Sequence, residues 1–240
     1  MRKNIVNWIK KEVKKTGAKG IVLGLSGGID SCVAAALAKE ALGKENVLGL
    51  ILPIHSDPRD AMDARAMAKK LKIPFKTLDL SRPHDELIKI FPEAKGVARV
   101  NIKPRLRMLT IYYFANKLNY LVCGTGNKCE LMVGYFTKHG DGAVDILPLG
   151  ALLKSQVRQL ARELGVPGNI IEKPPTAGLW QGQTDEGEMG ITYNELDDIL
   201  DRLQNSKKQT LPQAKVKKVK SMIERSSHKR CGPKICMPSR

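Results

Sequence analysis

The 240-residue sequence lacks an apolar run long enough to cross a bilayer, and its first residues lead into an amphipathic segment rather than a signal-like one. Cysteine is scarce, and the five residues are odd in number and stand mostly in apolar or motif-like surroundings. That pattern argues against a disulfide framework. We therefore expect a cytoplasmic protein with free thiols and no membrane association. A chain of this length can bury a sizeable core as one domain, residues 1–240.

Acidic residues are also in short supply, since 41 Lys and Arg face 24 Asp and Glu and give a net charge of +17. Residues 205–240 alone contain eleven basic residues and one acidic residue. The excess is thus mostly a property of a basic C-terminal helix or tail that begins at about residue 205. A solvated basic helix explains that segment more simply than a nucleic-acid site, so we expect no nucleic-acid partner. Attraction of a polyanionic small substrate remains a further explanation of the charge.

Short apolar runs of strand length alternate with helix-forming segments through the first half of the chain. The runs are GIVLGL, NVLGLILP, PFKTLDL and NYLVCG. Alternation of this kind predicts an α/β fold, a Rossmann-like doubly wound parallel sheet flanked by helices. In such a fold the functional residues lie at the carboxyl ends of the strands.

The second half of the chain contains two predicted helices separated by a predicted long loop. LLKSQVRQLARELG has helix-forming composition, and a second helix begins after Thr192, where Glu195 completes a capping box. The segment KPPTAGLWQGQTDEGEMG between them is predicted to be a loop. A loop of that length inside a compact domain is usually functional or mobile.

The turn SGGIDS, residues 26–31, follows the first predicted strand and opens the first crossover helix. Gly27 and Gly28 allow the main chain to approach a ligand closely. The free amides of the first helical turn favour an anion, and the hydroxyls of Ser26 and Ser31 add donors. The turn therefore predicts a phosphate site, although the spacing fits neither the Walker motif nor the dinucleotide fingerprint.

Asp30 stands in this turn where a Walker-type loop would have a lysine. A carboxylate beside bound phosphates repels them unless a cation lies between, so Asp30 predicts a magnesium ion held through oxygen atoms. A role limited to complementing the helix dipole is the alternative.

The stretch LGLSGGIDS resembles the pyrophosphatase-type loop of ATP-dependent synthetases with the adenine nucleotide alpha hydrolase-like fold. Further segments, in order, resemble the ammonia-dependent NAD synthetase family: NIKPRLRM, GTGNKCE, GYFTKHGDGAVDILPL, LLKSQVRQLA, KPPTAGLWQGQTDE and HKR. The resemblance implies that ATP adenylates the carboxylate of deamido-NAD, pyrophosphate leaves, and ammonia displaces AMP to give NAD. It also implies a homodimer.

The resemblance assigns roles to individual residues. Asp30, Glu130 and Lys154 are implied as catalytic, with Asp30 and Glu130 as the magnesium ligands. The implied ATP contacts are Gly24, Leu25, Ser26, Gly27, Gly28, Ile29, Asp30, Ser31, Thr125, Lys154 and Thr176. The implied deamido-NAD contacts are Arg105, Lys138, Asp145, His228 and Lys229.

Two features leave alternatives open. The shared loop and the basic tail also suit another adenylating enzyme that acts on tRNA or a different acid, although the sequence has no convincing Cys-x-x-Cys pair for sulfur transfer. Cys129 stands where the family commonly has serine. Cys231 and Cys236 follow His228, but a zinc site would need a further ligand and tighter spacing, so we expect free thiols.

Overall fold

The computed structural model describes residues 1–92, 96–180 and 182–237. Gln181, which belongs to the predicted loop, and the last three residues of the basic tail lie outside the described residues. One parallel sheet has the strand order β3-β2-β1-β4. Its strands are β1 (Gly20–Gly24), β2 (Val47–Ile51), β3 (Phe75–Thr77) and β4 (Tyr120–Val122). The parallel sheet and its crossover helices confirm the predicted Rossmann-like α/β class.

Helices connect and cover the strands. They are α1 (Arg2–Thr16), α2 (Ile29–Leu42), α3 (Pro58–Leu71), α4 (Ser81–Ile90), α5 (Val97–Val100), α6 (Ile102–Leu118), α7 (Lys128–Val133), α8 (Lys154–Glu163), α9 (Gly168–Glu172), α10 (Asp185–Met189), α11 (Tyr193–Gln204) and α12 (Gln213–Arg225). None of the helices in the described part of the chain has the length and apolar character that a membrane span requires.

The central strand β1 is apolar along its length because helices cover both faces of the sheet. Successive side chains of a strand point to opposite faces. Ile21 and Leu23 therefore pack with α1, α2 and α8 on one side, whereas Val22 packs with α6 on the other. The buried sheet holds the loops at its carboxyl edge in fixed relative positions.

The last two helices build a separate apolar cluster beside α7. Leu196 and Ile199 of α11 pack against Val216 and Val219 of α12. The basic segment predicted from residue 205 thus contains a helix that buries its valines and turns its lysines outward. The predicted capping box of α11 is confirmed, since the Thr192 hydroxyl accepts the Glu195 N–H at 3.3 Å and the Glu195 carboxylate accepts the Thr192 N–H at 3.2 Å.

The prediction of one continuous loop from Lys173 to Gly190 is wrong at its C-terminal end. Helix α10 begins there, and the Thr184 hydroxyl caps it by accepting the Gly187 N–H at 3.2 Å. Two glycines in GEMG obscured this short helix in the sequence, whereas its side-chain cap and its acidic first turn stabilise it.

Candidate active site

The turn between β1 and α2 has the backbone geometry that its glycines allow. Gly27 has φ 82°, and a Cβ there would overlap the carbonyl oxygen of Asp60. The Ser31 hydroxyl donates to the Gly28 carbonyl at 2.9 Å and accepts the Ser26 N–H at 3.2 Å. These internal contacts fix the shape of the turn, and Ser26, Gly28 and Ser31 line the space above the sheet edge.

Three charged side chains meet directly beside this turn. Lys154, the first residue of α8, is 1% exposed, and its Nζ lies 2.5 Å from Asp30 Oδ2 and 3.7 Å from Glu130 Oε1. Both carboxylates are therefore within 4 Å of the same ammonium nitrogen. The structure brings together the three residues that the resemblance implied as catalytic.

The sheet topology explains why Asp30 and Glu130 meet. Asp30 follows β1, Glu130 follows β4, and the two strands are neighbours in the sheet. Asn127 links the carboxylates, since its Nδ2 donates to Asp30 Oδ1 at 3.0 Å while its side chain and Glu130 form a capping box at the start of α7. Parallel neighbouring strands thus deliver both acids to one edge, as the sequence predicted.

Burial and mutual repulsion shift the titration of this cluster. Burial first, and the charge of Asp30 second, raise the pKa of Glu130 above its usual range. Burial disfavours the charged form of Lys154, but the carboxylates of Asp30 and Glu130 outweigh that effect and raise the pKa of its ammonium group. Lys154 therefore stays charged while Glu130 holds its proton more tightly than an exposed carboxyl group.

Two further residues belong to this cluster, and the sequence analysis gave neither of them a role. The Tyr193 hydroxyl lies 2.9 Å from Asp185 Oδ2 and 3.2 Å from Glu130 Oε1. A hydroxyl donates one proton, so it satisfies both contacts only when one of the two carboxyl groups is protonated. Asp185 is 5% exposed, burial raises its pKa, and its Oδ1 has no hydrogen-bond partner among the described residues.

A cavity of about 780 Å³ opens over this cluster at the carboxyl ends of β1, β2 and β4. That volume is typical of pockets for small-molecule ligands. Most of the predicted ATP contacts line it: Gly24, Leu25, Ser26, Gly28, Ile29, Asp30, Ser31, Thr125, Lys154 and Thr176. Gly27 does not line it, since this residue instead allows the turn to pass close to Asp60.

The predicted deamido-NAD contacts divide into three groups. Lys229 lines the cavity. Arg105, Lys138 and His228 lie outside the cavity lining and contact one another at the surface, where Arg105 Nη2 donates to the Lys138 carbonyl at 3.4 Å and Lys138 Nζ donates to the His228 carbonyl at 2.8 Å. Asp145 accepts the Val122 N–H at 2.7 Å and the Tyr112 hydroxyl at 3.0 Å, and it does not line the cavity either.

Three cations that the sequence analysis did not select also line the cavity, namely Arg107, Lys173 and Arg225. Arg107 donates to the Leu52 carbonyl at 3.0 Å and to the Ser56 hydroxyl at 3.4 Å, and burial lowers the pKa of its guanidinium. Lys173, on the loop that contains Thr176, donates to Asp60 and Asp63 of α3 at 2.5 and 3.1 Å. The carboxylates of Asp60 and Asp63 balance the charge of Lys173, so the cavity wall carries charged groups of both signs.

Known proteins share this fold and nearly half of this sequence. The family model described as NAD synthase matches residues 1–233. An NH(3)-dependent NAD(+) synthetase of Carboxydothermus hydrogenoformans is 46% identical over 238 residues, which cover 97% of this chain and 95% of the relative.

Solved structures agree with that match. The structure of NMN synthetase from Francisella tularensis has a TM-score of 0.89 at 41% identity, covering 99% of this chain and 96% of the other. The NH3-dependent NAD synthetase from Campylobacter jejuni has a TM-score of 0.86 at 31% identity, covering 98% and 97%. With a family model matched over nearly its whole length and relatives this similar in sequence and structure, the chain belongs to the NAD synthase family.

Proposed function

We propose that this chain catalyses the ATP-dependent amidation of deamido-NAD with ammonia, which gives NAD, AMP and pyrophosphate. The observation that carries the proposal is the Asp30–Lys154–Glu130 cluster beside an amide-rich turn, inside a cavity of a NAD synthase family member. Relatives named NH(3)-dependent NAD(+) synthetases do not favour another adenylating enzyme acting on tRNA. We further propose that residues 1–240 work as one catalytic domain.

The turn at residues 26–31 would bind the phosphates of ATP. Its outward-facing helical amides and the hydroxyl of Ser26 offer donors to anionic oxygens, and Thr125 and Thr176 line the same cavity. Lys154 is already desolvated and held against Asp30, so its charge acts on departing pyrophosphate without reorganisation. These residues would lower the barrier to attack of the deamido-NAD carboxylate on the α-phosphorus.

The acid cluster fits a magnesium ion. Mg²⁺ prefers carboxylate oxygens, and Asp30 and Glu130 each place one within 4 Å of Lys154 Nζ at the wall of the cavity. Burial and the neighbouring charge of Asp30 raise the pKa of Glu130, and a cation between the two carboxylates would relieve that repulsion. We propose Asp30 and Glu130 as its ligands, where the ion would neutralise phosphate charge when bound.

Ammonia must attack the adenylate in its unprotonated form, because ammonium has no lone pair. Asp185 is the best candidate in this cavity to accept the released proton at Oδ1, since that oxygen is buried and its pKa is raised. Burial of the cluster also keeps water away from the reactive adenylate.

Deamido-NAD would bind where Lys229 lines the cavity and where Arg105, Lys138 and His228 meet at the neighbouring surface. Arg105, Lys138 and Lys229 would offer positive charge and donors to an anionic dinucleotide. Asp145 would act there through its contact with Tyr112, unless binding frees its carboxylate.

We propose a homodimer whose interface includes the outer face of α6. Arg105, Leu109 and Tyr113 follow one another at helical spacing, and Leu109 and Tyr113 are 64% and 60% exposed. The proposed substrate residue Arg105 thus lies on the same stripe as two exposed apolar residues.

All five cysteines are free thiols, which agrees with a cytoplasmic location.

A product assay tests the proposed reaction. Purified protein with ATP, MgCl₂, deamido-NAD and ammonium chloride is expected to form NAD, AMP and pyrophosphate in equal amounts. Omission of ammonium should stop NAD formation, and glutamine in its place should not restore it. Formation of ADP, or pyrophosphate release that depends on tRNA and not on deamido-NAD, would refute the proposal.

The similarity to an NMN synthetase supports a second candidate substrate, the mononucleotide acid whose amide is NMN. The chemistry of adenylation and amidation would be the same, and only the length of the substrate differs. Parallel assays with nicotinate mononucleotide and deamido-NAD distinguish the two, because the preferred acid will have the higher kcat/KM.

A further inference from the structure

We propose that Asp197 is a positioning residue of this active site, which holds the segments carrying Lys154 and Glu130 in register with each other. The inference rests on the proposed function, because it concerns the residues assigned to that reaction. Asp197 lies in the middle of α11, is 7% exposed and does not line the cavity. It therefore acts on the reaction through other residues.

The carboxylate of Asp197 accepts three hydrogen bonds from two different helices. Its Oδ1 accepts the backbone N–H of Lys154 at 3.1 Å and the thiol of Cys129 at 2.8 Å. Its Oδ2 accepts the backbone N–H of Ser155 at 2.8 Å. One buried carboxylate thus joins the start of α8 to α7.

The two backbone contacts fix the first turn of α8. The first amides of a helix have no acceptor within the helix, and a carboxylate placed against them also complements the helix dipole. In this chain the carboxylate comes from α11, since Leu153 at the N-cap position of α8 has no oxygen in its side chain. Asp197 therefore fixes the backbone of Lys154, the first residue of α8, and with it the direction in which the Lys154 side chain extends from the helix.

The thiol contact extends the same restraint to Glu130, the proposed magnesium ligand. Cys129 precedes Glu130 in α7, so a bond from its side chain to Asp197 fixes α7 relative to α8. The donor at this position needs only an S–H or an O–H, so a serine could make the same contact.

A second residue on the same face of α11 completes the support. Tyr193 precedes Asp197 by four residues, one helical turn, and contacts Glu130 and Asp185 through its hydroxyl. Its ring centroid lies 4.6 Å from Lys154 Nζ. Helix α11 thus restrains the backbone of Lys154 through Asp197 and the side chain of Lys154 through Tyr193.

Steady-state kinetics of Asp197→Ala, Asp197→Asn and Asp198→Asn test the inference. Asp198 is the matched control, because it adjoins Asp197 but pairs with Arg202 and Thr210 at the surface. Displacement of a catalytic group by about 1 Å can lower turnover on the order of 100-fold, so we expect a kcat loss of that size for Asp197→Ala. KM for deamido-NAD should stay within about twofold of the original value, because Asp197 has no hydrogen bond, within the described part of the chain, to a residue proposed to bind that substrate.

Asparagine offers a partial rescue. It keeps one acceptor oxygen but turns an amide N–H₂ toward a backbone donor, so Asp197→Asn should retain more activity per folded molecule than Asp197→Ala. Circular dichroism and the cooperativity of thermal unfolding give the folded fraction of each variant. A merely structural role would lower the folded fraction and leave kcat per folded molecule unchanged.

Cys129 supplies a second pair of variants that leaves Asp197 intact. Cys129→Ser keeps a donor and should retain kcat within about twofold, whereas Cys129→Ala removes it and should lower kcat. The inference is overturned if folded Asp197→Ala has kcat and KM for ATP within twofold of the original chain. It is also overturned if Asp198→Asn loses as much activity as Asp197→Ala.

Failure of the proposed function has a different signature. In that case the unchanged chain forms no NAD from either acid, whatever stands at residue 197. Calorimetric titration with ATP and MgCl₂ then tests Asp197 alone, and weaker binding by Asp197→Ala than by Asp198→Asn supports its role. Equal binding by these two variants contradicts it.

Discussion

The ammonium of Lys154 lies 2.5 Å from the carboxylate of Asp30, although the two residues are 124 positions apart in the sequence. Lys154 is 1% exposed at its side chain and Asp30 is 18% exposed, so the pair is screened from solvent on most sides. Interactions between charges strengthen in such surroundings. The pair is therefore a sensitive point at which to test the proposed chemistry.

Asp30→Asn is expected to lower kcat by about 10² to 10³, because it removes a charge that the proposal places beside magnesium and the phosphates. The fold should persist. Asparagine keeps an oxygen that can accept a hydrogen bond from Asn127, and Lys154 still has the carboxylate of Glu130 at 3.7 Å as a partner. The kinetic assay for NAD formation and circular dichroism measure the two effects. Asp201→Asn on the exposed side of α11 is the control, and a loss below threefold for Asp30→Asn would count against the assignment.

Glu130 predicts a pH dependence of stability. Its pKa in the folded chain is raised above the ordinary value of 4.5, so the folded state binds protons more tightly than the unfolded state. The stability that this group contributes is complete below about pH 4.5 and is lost as pH rises toward the folded pKa. Glu130→Gln should therefore lose less stability than the original chain between pH 5 and pH 8, with a difference of at most about 1.4 kcal/mol per unit of pH.

Urea unfolding at several pH values, with EDTA present to remove divalent cations, measures this difference. Glu45→Gln is a suitable control, because the Glu45 side chain is 73% exposed. If the free energy of unfolding has the same pH dependence in the original chain and in Glu130→Gln, Glu130 does not titrate as described. Added MgCl₂ should reduce the difference, since a bound cation favours the charged carboxylate.

The sequence predicted those parts of the site that follow from strand order. The turn SGGIDS and Glu130 each follow an apolar strand, and parallel neighbouring strands deliver their carboxyl ends to one edge. The resemblance implied the pairing of Asp30 with Glu130, and the order of β1 and β4 in the sheet gives its structural cause. The same holds for the capping box of Thr192 and Glu195, which depends only on local spacing.

Other parts depend on helix phase and on distant contacts, which a single sequence does not specify. Arg105 and Arg107 are two residues apart on α6, so they point to different sides of the helix, and only Arg107 lines the cavity. Asp185 was assigned to a loop, yet it starts a short helix that packs it against Tyr193. Asp197 has its partners on α7 and α8, about 40 or more residues away in the chain.

Lys173→Met is expected to loosen the loop that contains Thr176. Lys173 joins this loop to Asp60 and Asp63 of α3, and its side chain is 27% exposed, so solvent moderates the strength of the ion pairs. We expect a several-fold increase in KM for ATP, with a smaller change in kcat, because the loop forms part of the cavity wall. Hydrogen exchange of residues 173–180 should accelerate in the variant, and unchanged exchange together with unchanged KM would contradict the role of this contact.

Leu109→Asp with Tyr113→Asp is expected to dissociate the proposed homodimer. Both side chains are more than half exposed on α6, and a carboxylate at each position cannot be buried against an apolar partner without a large desolvation cost. Sedimentation equilibrium should show a dimer for the original chain and a monomer for the double variant. Met62→Asp, at an exposed apolar residue of α3, is the matched control and should leave the dimer intact. If the interface completes the deamido-NAD site at Arg105, the monomer will also have a raised KM for deamido-NAD. A monomeric original chain would exclude this interface.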